Sequence, residues 1–156
     1  MTRKEIEQFL NGTKVYVNGK SEEIQKKLFL LGYKWDLQIV TYVFLTEEIN
    51  YSDSPFLLIY DKKIGCVDDM SAFMNSEYRE ITAEQILDID ASLFYRPFQS
   101  ADECWREMLK HKPFGWVKYK RIESYTIILS VNDDGDYGKV LSKYTFADGA
   151  PFGIKE

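Results

Sequence analysis

Apolar positions set the first elements. Thr2-Arg3-Lys4-Glu5 has the form of a capping box, and Ile6, Phe9 and Leu10 give the short helix behind it one apolar face. Gly12 follows as the left-handed residue that ends such a helix. Thr13–Val17 is rich in β-formers, and Asn18-Gly19 is a turn signal. Ser21 is read as the cap of a second helix, with Glu22 and Glu23 favouring the positive end of its dipole. Ile24, Leu28 and Leu31 recur at i, i+4 and i+7, and Gly32 stops the run.

After Gly32 the period shortens. Tyr33–Trp35, Ile39–Leu45, Phe56–Tyr60, Ile64–Val67 and Tyr78–Ile81 are short β-like runs, divided by punctuation such as Ser52-Asp53-Ser54-Pro55 and Asp61-Lys62-Lys63. Their separations are too short for helical crossovers, so an antiparallel meander is expected, with one helical turn within 68–76. Thr82-Ala83-Glu84-Gln85 is another capping box, opening a helix through Ile86 and Leu87. Asp90-Ala91-Ser92 reads as a seam. Beyond it, Pro97 keeps Tyr95–Phe98 extended, and Ser100-Ala101-Asp102-Glu103 opens a helix to about His111 with Cys104, Met108 and Leu109 inward. Gly115–Tyr119, Ser124–Val131 and Leu141–Phe146 read as strands, with turns at Asn132–Asp136 and Ala147–Pro151. The predicted class is α+β: short helices packed on mainly antiparallel β-sheet in two small units, 1–90 and 91–156. Each unit has a Ser-led helix followed by Gly and Trp (Gly32 and Trp35; Gly115 and Trp116), an outline that fits either a remote duplication or a common supersecondary solution.

Composition narrows the function classes. The chain has 156 residues, 45% hydrophobic and 29% charged, enough apolar surface to offset the entropy of ordering. Net charge is −5 and uneven: residues 1–90 carry 10 Lys/Arg against 16 Asp/Glu, residues 91–156 carry 10 against 9. An acidic chain without a basic tail is a poor duplex binder, because phosphate neutralisation supplies most of that affinity. Apolar runs such as Ile39–Leu45 fall far short of the roughly 20 residues that span a bilayer, so no membrane partner is expected. The N-terminus lacks the apolar core of a signal peptide, and two distant cysteines, Cys66 and Cys104, fit buried thiols in a reducing cytoplasm.

Catalytic constellations are not apparent. His111 is the single histidine, and Cys104 lies two helical turns earlier, about 10 Å along the axis, too far for a nucleophile–base pair. One His and two remote Cys do not assemble a zinc site. The Asn132–Tyr137 stretch is acidic like a calcium loop but has Tyr137 where glycine is required and Lys143 where a chelating glutamate is required. No catalytic residue, metal site or cofactor is assigned. The enzyme alternative is a small hydrolase or transferase acting on nucleotides through carboxylates at Asp68, Asp69 or within Asp133–Asp136.

One segment runs against the acidic background. Between Cys104 and Arg121, basic residues alternate with aromatics, and Arg106, Trp116, Lys118, Tyr119, Lys120 and Arg121 form the candidate ligand-binding set. Cations beside aromatic faces hold a phosphate and stack a base. Trp116, Lys118 and Lys120 fall on one strand face by alternation. The same residues also suit an ordinary exposed strand, and a protein-binding surface uses the same Trp, Tyr and Arg vocabulary.

Two longer phrases carry a resemblance. Ser21–Trp35, ending Leu28-Phe29-Leu30-Leu31-Gly32-Tyr33-Lys34-Trp35, with Tyr78–Leu87, resembles a module of small bacteriophage and prophage accessory proteins. Pro113-Phe114-Gly115-Trp116-Val117-Lys118 with Tyr144–Gly153 resembles a C-terminal module of the same kind of protein. The resemblance attaches no activity to any residue. It implies a phage-type, non-catalytic binding protein working in the host cytosol, expected to act in counter-defence by blocking a host protein or sequestering a small signalling nucleotide. The sequence carries no signal for oligomeric state.

Overall fold

A computed structural model describes residues 1–36, 55–67, 69–122, 124–132 and 135–156. The Ile39–Leu45 strand, the 52–54 turn residues and the acids Asp68, Asp133 and Asp134 lie outside the described residues. The fold is α+β, in two compact units, Met1–Ile89 and Asp90–Glu156.

The first unit runs α1 (Arg3–Leu10), β1 (Thr13–Tyr16), α2 (Ser21–Leu30), β2 (Lys34–Trp35), β3 (Phe56–Tyr60), β4 (Lys63–Cys66), α3 (Met70–Asn75), β5 (Arg79–Ile81) and α4 (Ala83–Leu87). Thr2 and Glu5 close a reciprocal capping box on α1, and Thr82 and Gln85 close one on α4. Gly12 and Gly32 take the positive φ that follows the ends of α1 and α2. Ser21 does not cap α2. Lys20 occupies the cap position without a side-chain bond, and Ser21 is a buried first-turn residue whose hydroxyl satisfies Gln25 Nε2 at 2.8 Å. A buried amide needs a partner, and that demand outranks capping here.

The strands form one sheet in the order β2-β4-β3-β1-β5. This differs from the expected meander. β3 pairs antiparallel with β1 and β4, but β1 pairs parallel with β5, and β2 parallel with β4. β1 sits inside the sheet because Thr13, Lys14 and Val15 are buried on both faces. One face carries Val15, Leu57, Ile59, Ile64 and Ile81, all buried, and the core is completed by Ile6 and Leu10, Ile24 and Leu28, and Ile86 from α1, α2 and α4. The other face carries Lys14, Tyr16, Phe56 and Tyr60. There Phe56 packs on Phe73 of α3 with ring centres 5.0 Å apart, and Tyr60 donates to the buried Asp36 at 2.8 Å.

The second unit has a 3-10 turn (Ala91–Phe94), β6 (Tyr95–Arg96), α5 (Ala101–Met108), β7 (Trp116–Tyr119), β8 (Tyr125–Ile127), α6 (Tyr137–Lys143), β9 (Tyr144–Phe146) and β10 (Ile154–Lys155). Ser100 caps α5 by accepting from the Glu103 amide, and Arg96 clamps the Glu103 carboxylate from β6. That ion pair, with the Gln99 amide, holds Glu103 well below the usual carboxylate range, at about 2. Leu109, expected inward, is exposed because the helix ends at Met108 and the chain turns there. The expected strand from Leu141 begins at Tyr144 instead. Asp136 caps a helix over 137–143, on which Tyr137, Val140 and Leu141 follow a helical period.

β7 is the centre of a three-stranded antiparallel sheet, β8-β7-β9, while β6 and β10 pair separately. The five-stranded mixed sheet of the first unit has no counterpart in the described residues of the second, so the two outlines share local order but not topology. β10 approaches β6 closely at Gly153, where a Cβ would stand 2.5 Å from the Arg96 carbonyl oxygen and 2.8 Å from Leu141 Cδ1. Gly153→Ala is therefore expected to destabilise the second unit by about 1–3 kcal/mol, read as a lower Tm and faster amide exchange at β6. An unchanged melt would contradict this close approach. Among the described residues, no helix is long and apolar enough to cross a membrane.

Candidate interaction surface and the His111 cluster

The three-stranded sheet divides the aromatic residues between two faces. In β7 and β8 the register pairs Trp116 with Ile127, Val117 with Thr126 and Lys118 with Tyr125. Val117 and Phe146 oppose each other on the inner face, both buried, where Tyr119 meets Tyr144 edge-on at 5.4 Å. The outer face carries Trp116, Lys118, Tyr125 and Ile127. Trp116 is 39% exposed, Tyr125 52% and Ile127 47%, and Leu129 just beyond the strand is 84% exposed. Lys118 Nζ stands 5.9 Å from the centre of the Tyr125 ring, a cation against an aromatic face.

The six candidate residues separate accordingly. Trp116 and Lys118 share the outer face, whereas Tyr119 is on the inner one. Lys120 and Arg121 lie in the turn after β7. The Lys120 amide donates to Lys143 O, and its ammonium is 3.9 Å from the Asp90 carboxylate. Arg106 is on α5, exposed and paired with Asp102 one turn earlier. Sequence reasoning missed Tyr125, Ile127 and Leu129. Ser124–Val131 contains consecutive apolar residues, the pattern of a strand covered on both sides, and nothing in that pattern reveals that one side is open.

On the inner side of this unit lies a cavity of about 290 Å³ lined by residues that include Cys104, Val117, Ile128, Tyr137 and Phe152, without Lys or Arg among them. Burial pushes the Cys104 thiol up to about 11, the reverse of an activated nucleophile, and its sulfur rests 3.8 Å from Met108 Sδ.

His111 stands at the centre of a small polar cluster just past α5. Nδ1 is 2.5 Å from Asp148 Oδ2, Nε2 is 3.2 Å from Glu107 Oε1, and the ring lies flat on Phe146 with centres 3.8 Å apart. Burial is the largest influence on its titration and disfavours the charged ring. The hydrogen bonds and charges of Asp148 and Glu107 together outweigh it, so His111 titrates above its ordinary value. Asp148 is also penalised by burial, but the bonds from His111 and the Ala150 amide hold it below the usual range. Burial, reinforced by both carboxylates, pushes the Tyr95 phenol up. With a carboxylate on each ring nitrogen, His111 has no open nitrogen for a substrate proton. Its geometry ties the end of α5 to the 147–150 turn.

The described acids of the enzyme alternative are engaged in local structure. Asp69 caps α3 by accepting from the Ala72 amide at 2.8 Å, and Asp136 caps α6 while pairing with Lys139. Among the described residues, no group of three or more His, Cys, Asp or Glu is arranged to hold a metal ion. No protein-family model matches the chain, and neither does any curated protein or solved structure.

Proposed function

We propose that the protein is a phage-type accessory protein that works by binding, and that it captures a host protein in the cytoplasm through the outer face of the β8-β7-β9 sheet. The observation that carries this reading is the grouping of Trp116, Tyr125 and Ile127, all exposed, on one sheet face with Lys118 beside them. Aromatic side chains on a rigid strand supply large contact area at little entropic cost, which is the composition of interface hot spots. Counter-defence is the biological setting that the resemblance to phage accessory proteins supports.

The test is affinity capture of the tagged chain from bacterial cells, followed by titration of the identified partner. Trp116→Ala and Tyr125→Ala are each expected to weaken binding about 30-fold, the loss of roughly 2 kcal/mol typical of a hot-spot residue. Lys118→Ala should cost less than tenfold and act mainly through the association rate. Equal affinity in both aromatic variants would remove the surface from consideration.

A second reading rests on Lys118 lying against Tyr125 next to Trp116, an arrangement that suits the phosphate and base of a small nucleotide. In that case Lys118→Ala should be the most damaging of the three, and binding should weaken steeply with salt. The separation of Arg106, Lys120 and Arg121 from this face favours the protein partner.

A further inference from the structure

Tyr33, in the first unit, carries a hydroxyl that its packing does not use. The residue is 2% exposed, and its hydroxyl finds no hydrogen-bond partner among the described residues. A phenylalanine would fill the same space, and a buried donor without a partner weakens a fold. The phenol lines a pocket of about 330 Å³, and the Glu7 carboxylate on the same wall is close enough to act on its titration. Burial first, and then Glu7, push it up to about 12, so it stays protonated and stands as a donor.

The rest of the pocket is polar. Lys4, Glu7, Gln8 and Asn11 follow the i, i+3, i+4, i+7 spacing of one face of α1, opposite the buried Ile6 and Leu10. They cover about 10 Å along the helix axis. The β3–β4 turn forms a further wall and is tied to α1 at two points. The Asp61 amide donates to Asn11 Oδ1 at 2.8 Å, and the Lys62 ammonium sits 2.8 Å from Glu7 Oε1. Glu7 is matched by this contact and by Arg3, which together hold its carboxyl below the usual range. Lys4 is not matched: neither its ammonium nor the Gln8 amide has a partner among the described residues. A ligand that satisfies these groups brings a negative charge for Lys4, an acceptor oxygen for Tyr33 about one turn along, and hydroxyls for the amides of Gln8 and Asn11. A bare anion would leave most of this volume unfilled.

We propose that the pocket binds a small hydroxy acid, with its carboxylate on Lys4 and an oxygen of its body on the Tyr33 hydroxyl. The site lies in the first unit, away from the sheet face assigned to a host protein. Its test uses the pure protein, so its outcome is independent of host-protein capture.

Gluconate is the probe, titrated into the labelled chain while backbone amide shifts are followed by NMR. Saturable shifts are expected across Lys4–Asn11 and at Asp61 and Lys62. Glucose, which has the hydroxyls without the charge, and acetate, which has the charge without the hydroxyls, should each bind at least tenfold more weakly. Tyr33→Phe should weaken gluconate about tenfold, the loss of one hydrogen bond. Its Tm should match or exceed that of the wild type, because the hydroxyl removed has no partner in the fold. Lys4→Gln should weaken gluconate about fivefold, as befits an exposed ion pair, and wild-type binding should fall with added salt. Shifts that do not saturate, glucose binding as well as gluconate, or undiminished binding by Tyr33→Phe would each overturn the assignment. So would a marked loss of Tm in Tyr33→Phe, which would give the hydroxyl to the fold, or tighter binding of inorganic phosphate at the same amides.

Discussion

Lys14→Met is expected to cost about 3 kcal/mol and to release α3 from the sheet. Lys14 is 6% exposed, and its ammonium donates to Phe73 O at 2.6 Å and Ser76 O at 3.1 Å, with Met74 O at 3.5 Å. These are carbonyls at the C-terminal end of α3, where unpaired oxygens and the negative end of the dipole accumulate. The same ammonium lies 4.8 Å from the centre of the Phe73 ring, against the Phe56 ring on β3. Methionine conserves the buried stem but removes every donor, and hydrogen bonds from a charged group contribute about 1.5–3 kcal/mol each. Denaturant unfolding should show the loss, and amide exchange should rise first across Met70–Asn75. Lys14→Arg should recover little, because a planar guanidinium does not fit a site shaped for a compact ammonium. Near-wild-type stability of Lys14→Met would mean that packing of Phe73, not the ammonium, holds the helix.

His111→Ala is expected to destabilise the second unit by about 2 kcal/mol near pH 6 and by much less at pH 9. The substitution removes the cation between Glu107 and Asp148 and the ring stacked on Phe146. His111 titrates above its ordinary value in the folded chain, so its contribution is complete below the unfolded value of 6.5 and fades as pH rises through the higher folded value. Asp148 behaves in the opposite sense. Its folded value lies below 3.8, so its contribution is present above 3.8 and is lost as pH falls through the folded value. Wild-type stability from this pair should peak between those limits and decline on the alkaline side. Thermal melts from pH 6 to 9 should show that slope in the wild type and not in His111→Ala. His111→Gln separates hydrogen bonding from titration, since it can bond without charging. A slope that persists in both variants would place the titrating group elsewhere.

Local chemistry in the sequence was a good guide where one residue's backbone or cap decides the outcome. Thr2 and Thr82 form the boxes their neighbours specify, Ser100 caps α5, and Gly12 and Gly32 take the backbone that only glycine adopts easily. Short strands at Phe56, Lys63 and Arg79 were legible for the same reason, being bounded by turn residues. Pairing was not legible. The parallel neighbours β1 and β5 meet because Val15 and Ile81 bury together, a relation between distant segments that no local period encodes. The helix over 137–143 was masked by its acidic lead-in, which resembles a hairpin turn until Asp136 is seen as a cap. At the candidate surface, alternation assigned Trp116 and Lys118 to one side, as observed, but it also assigned Lys120 there, and β7 ends at Tyr119 with Lys120 in the turn beyond it. Alternation could not show that Tyr119 faces inward with Tyr144, or that Ile127 is uncovered, because coverage is a property of the packed unit.

The strand order in the first unit has a further consequence during synthesis. β1 emerges early from the ribosome, yet both of its neighbours come much later, β3 at Phe56–Tyr60 and β5 at Arg79–Ile81. β1 has no partner until β3 has been translated, and it is matched on one side only until Arg79–Ile81 follow. The sheet is thus completed late, and a ribosome stalled before Arg79 would hold a chain whose β1 is still open on the side that β5 covers.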